Sequence, residues 1–318
     1  SAAADDTGQA VVEGFVPNGS TIFRVYPHAI EGTFGIVDAG VSAPQFTGTT
    51  GTVEVVEPGI EILGLLASQE TIDTPDAMYA RVGVLNTSGT LISVQSRRPG
   101  AGPLGVTFGV SDSTVARLVT ETDAGAEATL AIEEGSSTTP TTLATGGVAV
   151  DGLTVGSVDV SVSAPGFTPG SNAVRTLDVI APALDILGSA QRVGAGLQSA
   201  RLSVRLGGSE HGGVTVGIAS SDPALALITP DDAVVGQDAI SVFVPDGSIN
   251  AYFYVQALEE ARGDVTVTAS APGFVPDQTI TTVEEPAVEI ISVGSSFDVG
   301  DALDDFTVRV GLPNSTGS

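Results

Sequence analysis

Apolar and polar residues alternate in short runs along most of the chain. Val158-Asp159-Val160-Ser161-Val162 and Val265-Thr266-Val267-Thr268 set a valine at every second position, the period that turns one face of a strand to a core and the other to water. A helical period of about 3.6 residues is sustained nowhere. The runs are separated by tight-turn signals such as Pro17-Asn18-Gly19-Ser20 and Pro245-Asp246-Gly247-Ser248, in which the Asn-Gly and Asp-Gly pairs tolerate positive φ. The pattern predicts an all-β chain.

The strands recur in a fixed order. One phrase stands in three places, Ser42-Ala43-Pro44-Gln45-Phe46, Ser163-Ala164-Pro165-Gly166-Phe167 and Ser270-Ala271-Pro272-Gly273-Phe274. Each copy follows an alternating strand and precedes another that ends near Pro58, Pro182 or Pro286. Beyond each proline comes a matching first strand: Ile60-Glu61-Ile62-Leu63, Leu184-Asp185-Ile186-Leu187 and Val288-Glu289-Ile290-Ile291. The prolines are spaced by 124 and 104 residues, and about seven apolar alternations fall between them, the number an immunoglobulin-like sandwich needs. The order of a Val-Thr-Val strand, a Ser-Asp-Pro turn at 221–223, a Pro-Asp-Gly-Ser turn and the strand ending Ser-Ala-Pro-Gly-Phe resembles the bacterial immunoglobulin-like (Big-type) tandem repeats of surface and adhesin-like proteins. That resemblance implies β-sandwich modules strung into stalks outside the cell, with no catalytic residues to carry over.

The repeat divides the chain into a partial domain at 1–57, full domains at 58–181 and 182–285, and a partial domain at 286–318, an elongated array. The first segment holds the later strands of a repeat and the last its earliest ones. A half-sandwich leaves strand edges unpaired and an apolar face bare, so both ends are expected to be completed. The completing strands belong either to adjoining repeats of a longer chain or to another copy joined head to tail. In the second case Val288, Ile290, Phe306, Val308 and Val310 would meet strands between Val11 and Val55.

Composition narrows the function. The chain has 318 residues, 38 carboxylates against 11 basic residues and a formal charge of −27. Such a surface repels phosphate backbones, which excludes nucleic-acid partners. There is no cysteine, hence no disulfide and no thiolate chemistry, and no apolar run reaches the ~18 residues of a membrane span. The only histidines, His28 and His211, fall at unrelated repeat positions, and no Gly-x-Ser-x-Gly elbow occurs, so no enzyme is expected.

Calcium is the one cofactor the charge invites, because it takes hard oxygen ligands that loops at sandwich ends can supply. The candidates are Asp231, Asp232 and Asp238, then Asp301, Asp304 and Asp305, with the linker acids Glu57, Glu284 and Glu285 beside them. The opposing expectation is a solvated acidic surface, since no Asp-x-Asp-x-Asp-Gly loop is present. Asn18, Asn86 and Asn314 each begin a glycosylation sequon, and the Ser136–Thr142 tract reads as a polar loop or an O-linked sugar site. Arg262-Gly263-Asp264 spells an adhesion tripeptide at a turn, where chance accounts for it. Two functions follow: an extracellular spacer or filament whose partners are copies of itself, or an adhesive carbohydrate- or protein-binding module using loops of 58–181. Exposure of Tyr79, Tyr252 and Tyr254 together would favour the second.

Overall fold

The computed structural model describes residues 11–22, 24, 25, 27, 29, 30, 32–188, 191–291 and 306–312. The chain divides into two compact units, Ser1–Ile180 and Ala181–Ser318. Apart from a 3-10 turn at Leu143–Thr145, the regular structure of the described residues is β throughout.

The first unit contains β1 (Gly35–Val41) and β2 (Thr49–Val55), then β3 (Pro58–Leu63), β4 (Ser68–Glu70), β5 (Asp76–Leu85), β6 (Leu91–Val94), β7 (Leu104–Val110), β8 (Ala116–Val119), β9 (Ala124–Gly125), β10 (Glu127–Ile132), β11 (Val148–Gly152), β12 (Gly156–Ser163), β13 (Thr168–Pro169) and β14 (Val174–Ile180). The second contains β15 (Leu184–Leu187), β16 (Gln191–Gly194), β17 (Leu202–Leu206), β18 (Val214–Ser220), β19 (Ala226–Thr229), β20 (Ala239–Val244), β21 (Asn250–Ala257), β22 (Gly263–Ser270), β23 (Asp277–Glu284), β24 (Ala287–Ile291) and β25 (Thr307–Gly311).

Strands β3–β14 and β15–β23 each close into a two-sheet, immunoglobulin-like sandwich, and the two share one topology. One sheet runs β3-β5-β11-β8 in the first sandwich and β15-β17-β21-β19 in the second. The other runs β10-β7-β12-β14-β4 and β20-β18-β22-β23-β16. Both exceed the expected count of about seven strands for two shared reasons, and the first also carries the short β6, β9 and β13. The first strand is broken into two pieces, one in each sheet. After β7 or β18 the chain also crosses to the far edge of the other sheet, returns, and crosses back, which adds an outer strand.

Period-two alternation explains the cores. In β22 the inward Val265, Val267 and Ala269 are fully buried while Ser270 and Asp264 face out. Val214, Val216 and Val244 join that core, with Val242 and Phe274 partly buried against it. The first core is built likewise around Phe108, Val160 and Leu177. The repeated Ala-Pro-Gly-Phe phrase is a turn closed by Phe167 N–H to Ala164 C=O and by Phe274 N–H to Ala271 C=O, each 3.2 Å. Gly166 (φ 76°) and Gly273 (φ 80°) take its left-handed position, as a type II turn demands. In the third copy Gln45 is held at φ 67° in their place, a conformation that costs a residue with a Cβ about 1–2 kcal/mol. The Pro17–Ser20 and Pro245–Ser248 turns are both closed, by Ser20 N–H to Pro17 C=O at 3.0 Å and Ser248 N–H to Pro245 C=O at 3.1 Å.

Two hairpins stand outside the sandwiches. Among the described residues, strand β1 pairs only with β2, and β24 only with β25. Among described residues 11–34 there is no strand, although that stretch was expected to pair. No helix among the described residues is long and apolar enough to cross a membrane.

Candidate functional site

The isolated hairpins become informative when set beside their equivalents in the sandwiches. Strand β24 corresponds to β3 and β15, and β25 to the later part of β5 and to β17. In the sandwiches the register pairs Ile60 with Val82, Ile62 with Ala80, Leu184 with Leu206 and Ile186 with Val204. In the hairpin it pairs Val288 with Val310 and Ile290 with Val308. The eight sandwich residues are all at most 5% exposed. Their hairpin counterparts are not: Val288 is 73% exposed, Ile290 60%, Val308 53% and Val310 55%, and Phe306, on the same parity, is 56% exposed.

The other hairpin repeats the finding from the opposite sheet. Strands β1 and β2 match β12–β14 and β22–β23. Val37 and Val41 stand where the second sandwich has Val265 and Ala269, both at 0%, yet they are 54% and 61% exposed, and Phe46 is 78% exposed where Phe167 and Phe274 pack against cores. One hairpin therefore carries the bare inner face of one sheet, and the other that of the second sheet.

The outer face of β24–β25 is finished as in a complete module. Arg309 and Glu289 form an ion pair across the strands, as do Arg81 and Glu61 at 2.6 Å and Arg205 and Asp185 at 3.4 Å. The signal for these arginines in the sequence is one apolar-Arg-apolar pattern, repeated at Ala80-Arg81-Val82, Val204-Arg205-Leu206 and Val308-Arg309-Val310. Only in the first sandwich is the pair covered. The Ser136–Thr142 tract docks along β5, where Val82 N–H reaches Ser137 C=O at 3.0 Å and Ala80 N–H reaches the Thr139 hydroxyl at 3.0 Å. Thr139 is buried there, as is Glu61. The tract is thus packed structure and not a free polar loop.

The remaining candidates are dispersed. Asp231 accepts from Ala233 N–H at 2.9 Å and Asp238 from Ala239 N–H at 3.0 Å, as local turn caps, while Asp232 is exposed. The linker acids Glu284 and Glu285 are taken by Arg192 and Arg262. Among the described residues no group of three or more His, Cys, Asp or Glu side chains is placed to hold a metal. Asp301, Asp304, Asp305, Asn314 and His28 lie outside the described residues. Asn18 sits in its exposed turn. The Asn86 side-chain Oδ1 accepts from Ser88 N–H at 3.0 Å, the Ser88 hydroxyl at 2.7 Å and Thr90 N–H at 2.9 Å. His211 bridges backbone, with Nε2 2.8 Å from Ser248 C=O and Nδ1 accepting from Gly213 N–H at 3.1 Å. Arg262-Gly263-Asp264 runs into β22, and Asp264 accepts from the Thr282 hydroxyl at 2.7 Å. Of the tyrosines, Tyr252 is exposed beneath the Arg201 guanidinium at 4.4 Å, while Tyr254 and Tyr79 are half-buried.

The loop at 97–102, between β6 and β7, is organised by charge. Glu134 accepts from Gly102 N–H at 2.6 Å and Gly100 N–H at 3.1 Å. Those amides, followed by the nearby Arg97 and Arg98 charges, hold its carboxyl below the usual carboxylate range. The Arg97 guanidinium donates to the carbonyls of Gly102 and Ala101 at 3.0 and 2.9 Å.

No protein-family model matches the chain, and no curated protein matches it. Among solved structures it is similar to domains 4 and 5 of the S-layer protein SbsC, at 15% identity over 65% of this chain and 90% of that one with a TM-score of 0.23. It is also similar to the Yersinia pseudotuberculosis adhesin InvE, at 15% identity over 71% of this chain and 58% of that one with a TM-score of 0.27. A third is the calcium-binding domain CBD12 of CALX1.1, at 14% identity over 66% and 79% of the two chains with a TM-score of 0.30. Likenesses this distant carry no argument about what the chain binds.

Proposed function

We propose that the chain is a non-enzymatic structural element of a cell surface, a stalk or filament of immunoglobulin-like modules that joins copies of itself head to tail. The observation that supports this reading is the exposure of Val288, Ile290, Val308 and Val310 on one hairpin and of Val37 and Val41 on the other. Their equivalents form the two facing walls of a sandwich core. Laying the β24–β25 face of one copy on the β1–β2 face of the next would set these apolar side chains against one another, as their repeat equivalents face each other across a core. Burying a Val, Ile or Phe fully is worth about 1.5–3 kcal/mol, so several such residues together offset an association cost of roughly 4–15 kcal/mol.

The test compares the full chain with a double variant, Ile290→Asp and Val308→Asp, by sedimentation velocity and electron microscopy. End-to-end fibres whose length grows with concentration are expected from the wild type and their loss from the variant. Wild type that stays monomeric at high concentration, or fibres that survive both aspartates, would reject the head-to-tail arrangement.

A further inference from the structure

In each sandwich the strand on which the chain enters is hydrogen-bonded, in parallel, to the strand on which it leaves. In the second sandwich β16 lies along β23 in the register Gln191 to Thr281, Arg192 to Thr282, Val193 to Val283 and Gly194 to Glu284. Ala195 N–H extends the ladder to Glu284 C=O at 2.8 Å. In the first, β4 lies along β14 from Ser68 opposite Asp178 to Glu70 opposite Ile180. There the ladder runs on through Asp178 N–H to Ala67 C=O at 3.0 Å and Thr71 N–H to Ile180 C=O at 3.1 Å.

Parallel pairing fixes how these bonds meet tension. A pull on the two ends of a module draws its first strand toward its own N-terminus and its last strand toward its own C-terminus. Because the strands point the same way, those pulls slide one along the other, and every bond between them is strained at once. Antiparallel neighbours pulled apart at their open end lose their bonds one at a time. A single such bond is weak on its own because water competes for both partners, so a set that must fail together resists far more force than the same set peeled singly.

We propose that the parallel pairs β4–β14 and β16–β23 are tension clamps through which each sandwich resists being pulled open along the chain. This deepens the reading of the chain as a stalk or filament, whose modules would be loaded end to end. Each clamp is seconded by a fastening of the upstream piece of the first strand. Val275 N–H reaches Pro182 C=O at 2.9 Å and Leu184 N–H reaches Val275 C=O at 3.0 Å, and the Asp277 carboxylate accepts from Ile186 N–H at 2.7 Å. In the first sandwich β13 pairs in parallel with β3, and Gly170 N–H reaches Ile60 C=O at 2.8 Å. The locks differ. Across the second clamp Arg192 grips Glu284 in a bidentate pair, Nε donating to Oε1 at 2.7 Å and Nη2 to Oε2. Across the first, the buried Gln69 side chain ties β4 to β11 in the opposite sheet, its Oε1 accepting from Gly152 N–H at 3.0 Å.

The experiment is single-molecule force spectroscopy on the full chain held by its two ends, with the two sandwiches opening as separate events. Ala195→Pro removes the donor to Glu284 and Thr71→Pro the donor to Ile180. Each is expected to lower the opening force of its own sandwich and leave the other unchanged. Where a proline variant fails to fold, the pulling direction decides. The chain has no cysteine, so Arg262→Cys with Glu285→Cys provides unique handles at two exposed positions beside the open end of the antiparallel β22–β23 hairpin. Pulling there is expected to open the second sandwich at a clearly lower force than pulling from the ends. Equal force in the two directions, or unchanged force in a folded proline variant, overturns the clamp. Sedimentation of the unpulled wild type reports on head-to-tail assembly alone, so either reading can fail without the other.

Discussion

Gln69 is the residue whose replacement tests most directly how the two sandwiches differ. The repeat places Val193 at its position, since Gln69 is opposite Val179 and Val193 opposite Val283 in equivalent ladders. An apolar residue is therefore native to this site in one module, and Gln69→Val looks harmless. The hydrogen bonds argue otherwise. The N–H at the end of β21, that of Ala257, is satisfied by Leu197 C=O at 2.9 Å. The equivalent N–H in the first sandwich, that of Gly152, is satisfied by the Gln69 side chain at 3.0 Å. The same side chain donates to Thr74 C=O at 3.1 Å.

Removing the amide leaves the Gly152 N–H buried without an acceptor, which costs about 1–3 kcal/mol. Thr74 lies nearer the surface, where water can take its carbonyl. The shorter valine adds a small void and a compensating gain in apolar burial, each on the order of 1 kcal/mol. The net is a loss of roughly 2 kcal/mol, which for a module of this size is a drop of roughly 5–10 °C in melting temperature. Differential scanning calorimetry of the full chain should show one transition moving down while that of the second sandwich stays. Gln69→Val that melts at or above the wild-type temperature would refute the argument, and with it the claim that this amide stands in for a backbone acceptor.

Two further outcomes follow from single side chains. The Thr281 hydroxyl is fully buried and lacks a hydrogen-bond partner, and its repeat equivalent is the buried Leu177, so Thr281→Val should stabilise the second sandwich by about 1 kcal/mol, read as a rise in its denaturation midpoint. The Glu134 carboxyl is held below its ordinary value by the Gly100 and Gly102 amides. Its contribution is therefore present above the unfolded carboxylate pKa and is lost as pH falls through the lower folded value. The amide proton shifts of Gly100 and Gly102, followed by NMR, should titrate on acidification through that range in wild type as the Glu134 carboxylate is protonated, and should show no such titration in Glu134→Gln.

Much of the fold was legible because alternation and turn chemistry are local. Val265, Val267 and Phe274 declare their faces by parity, and Gly166 and Gly273 declare a positive φ. What escaped was whatever joins distant parts of the chain. Nothing near Gln69 in sequence tells that Gly152 will need an acceptor, and nothing in Ser136–Thr142 tells that Ala80 will donate to Thr139. The crossing from β7 to β8 and back to β10 was equally hidden, because alternation fixes which face a strand buries but not which sheet it joins. Repeat position alone marks Val288, Ile290, Phe306, Val308 and Val310 as apolar residues in need of cover. Their exposure could be anticipated because equivalent positions are core in any complete copy.

The same contrast explains where the two sandwiches agree and where they diverge. Their inner faces are nearly interchangeable, since any close-packed set of β-branched and aliphatic residues fills a sandwich. Their polar fastenings are not, because a buried donor or carboxylate must be met by a particular partner. The donor at the end of β11 finds a glutamine and that at the end of β21 a backbone carbonyl. The Glu61–Arg81 pair is roofed by an inserted tract, while Asp185 and Glu289 are left half open to water. Exchanging core residues between the modules should therefore be mild, whereas exchanging Gln69 with Val193, or deleting Ser136–Thr142 and so exposing Glu61 and the β5 amides, should be costly. On this argument the repeat preserves an apolar interior, and each module settles its own buried polar groups.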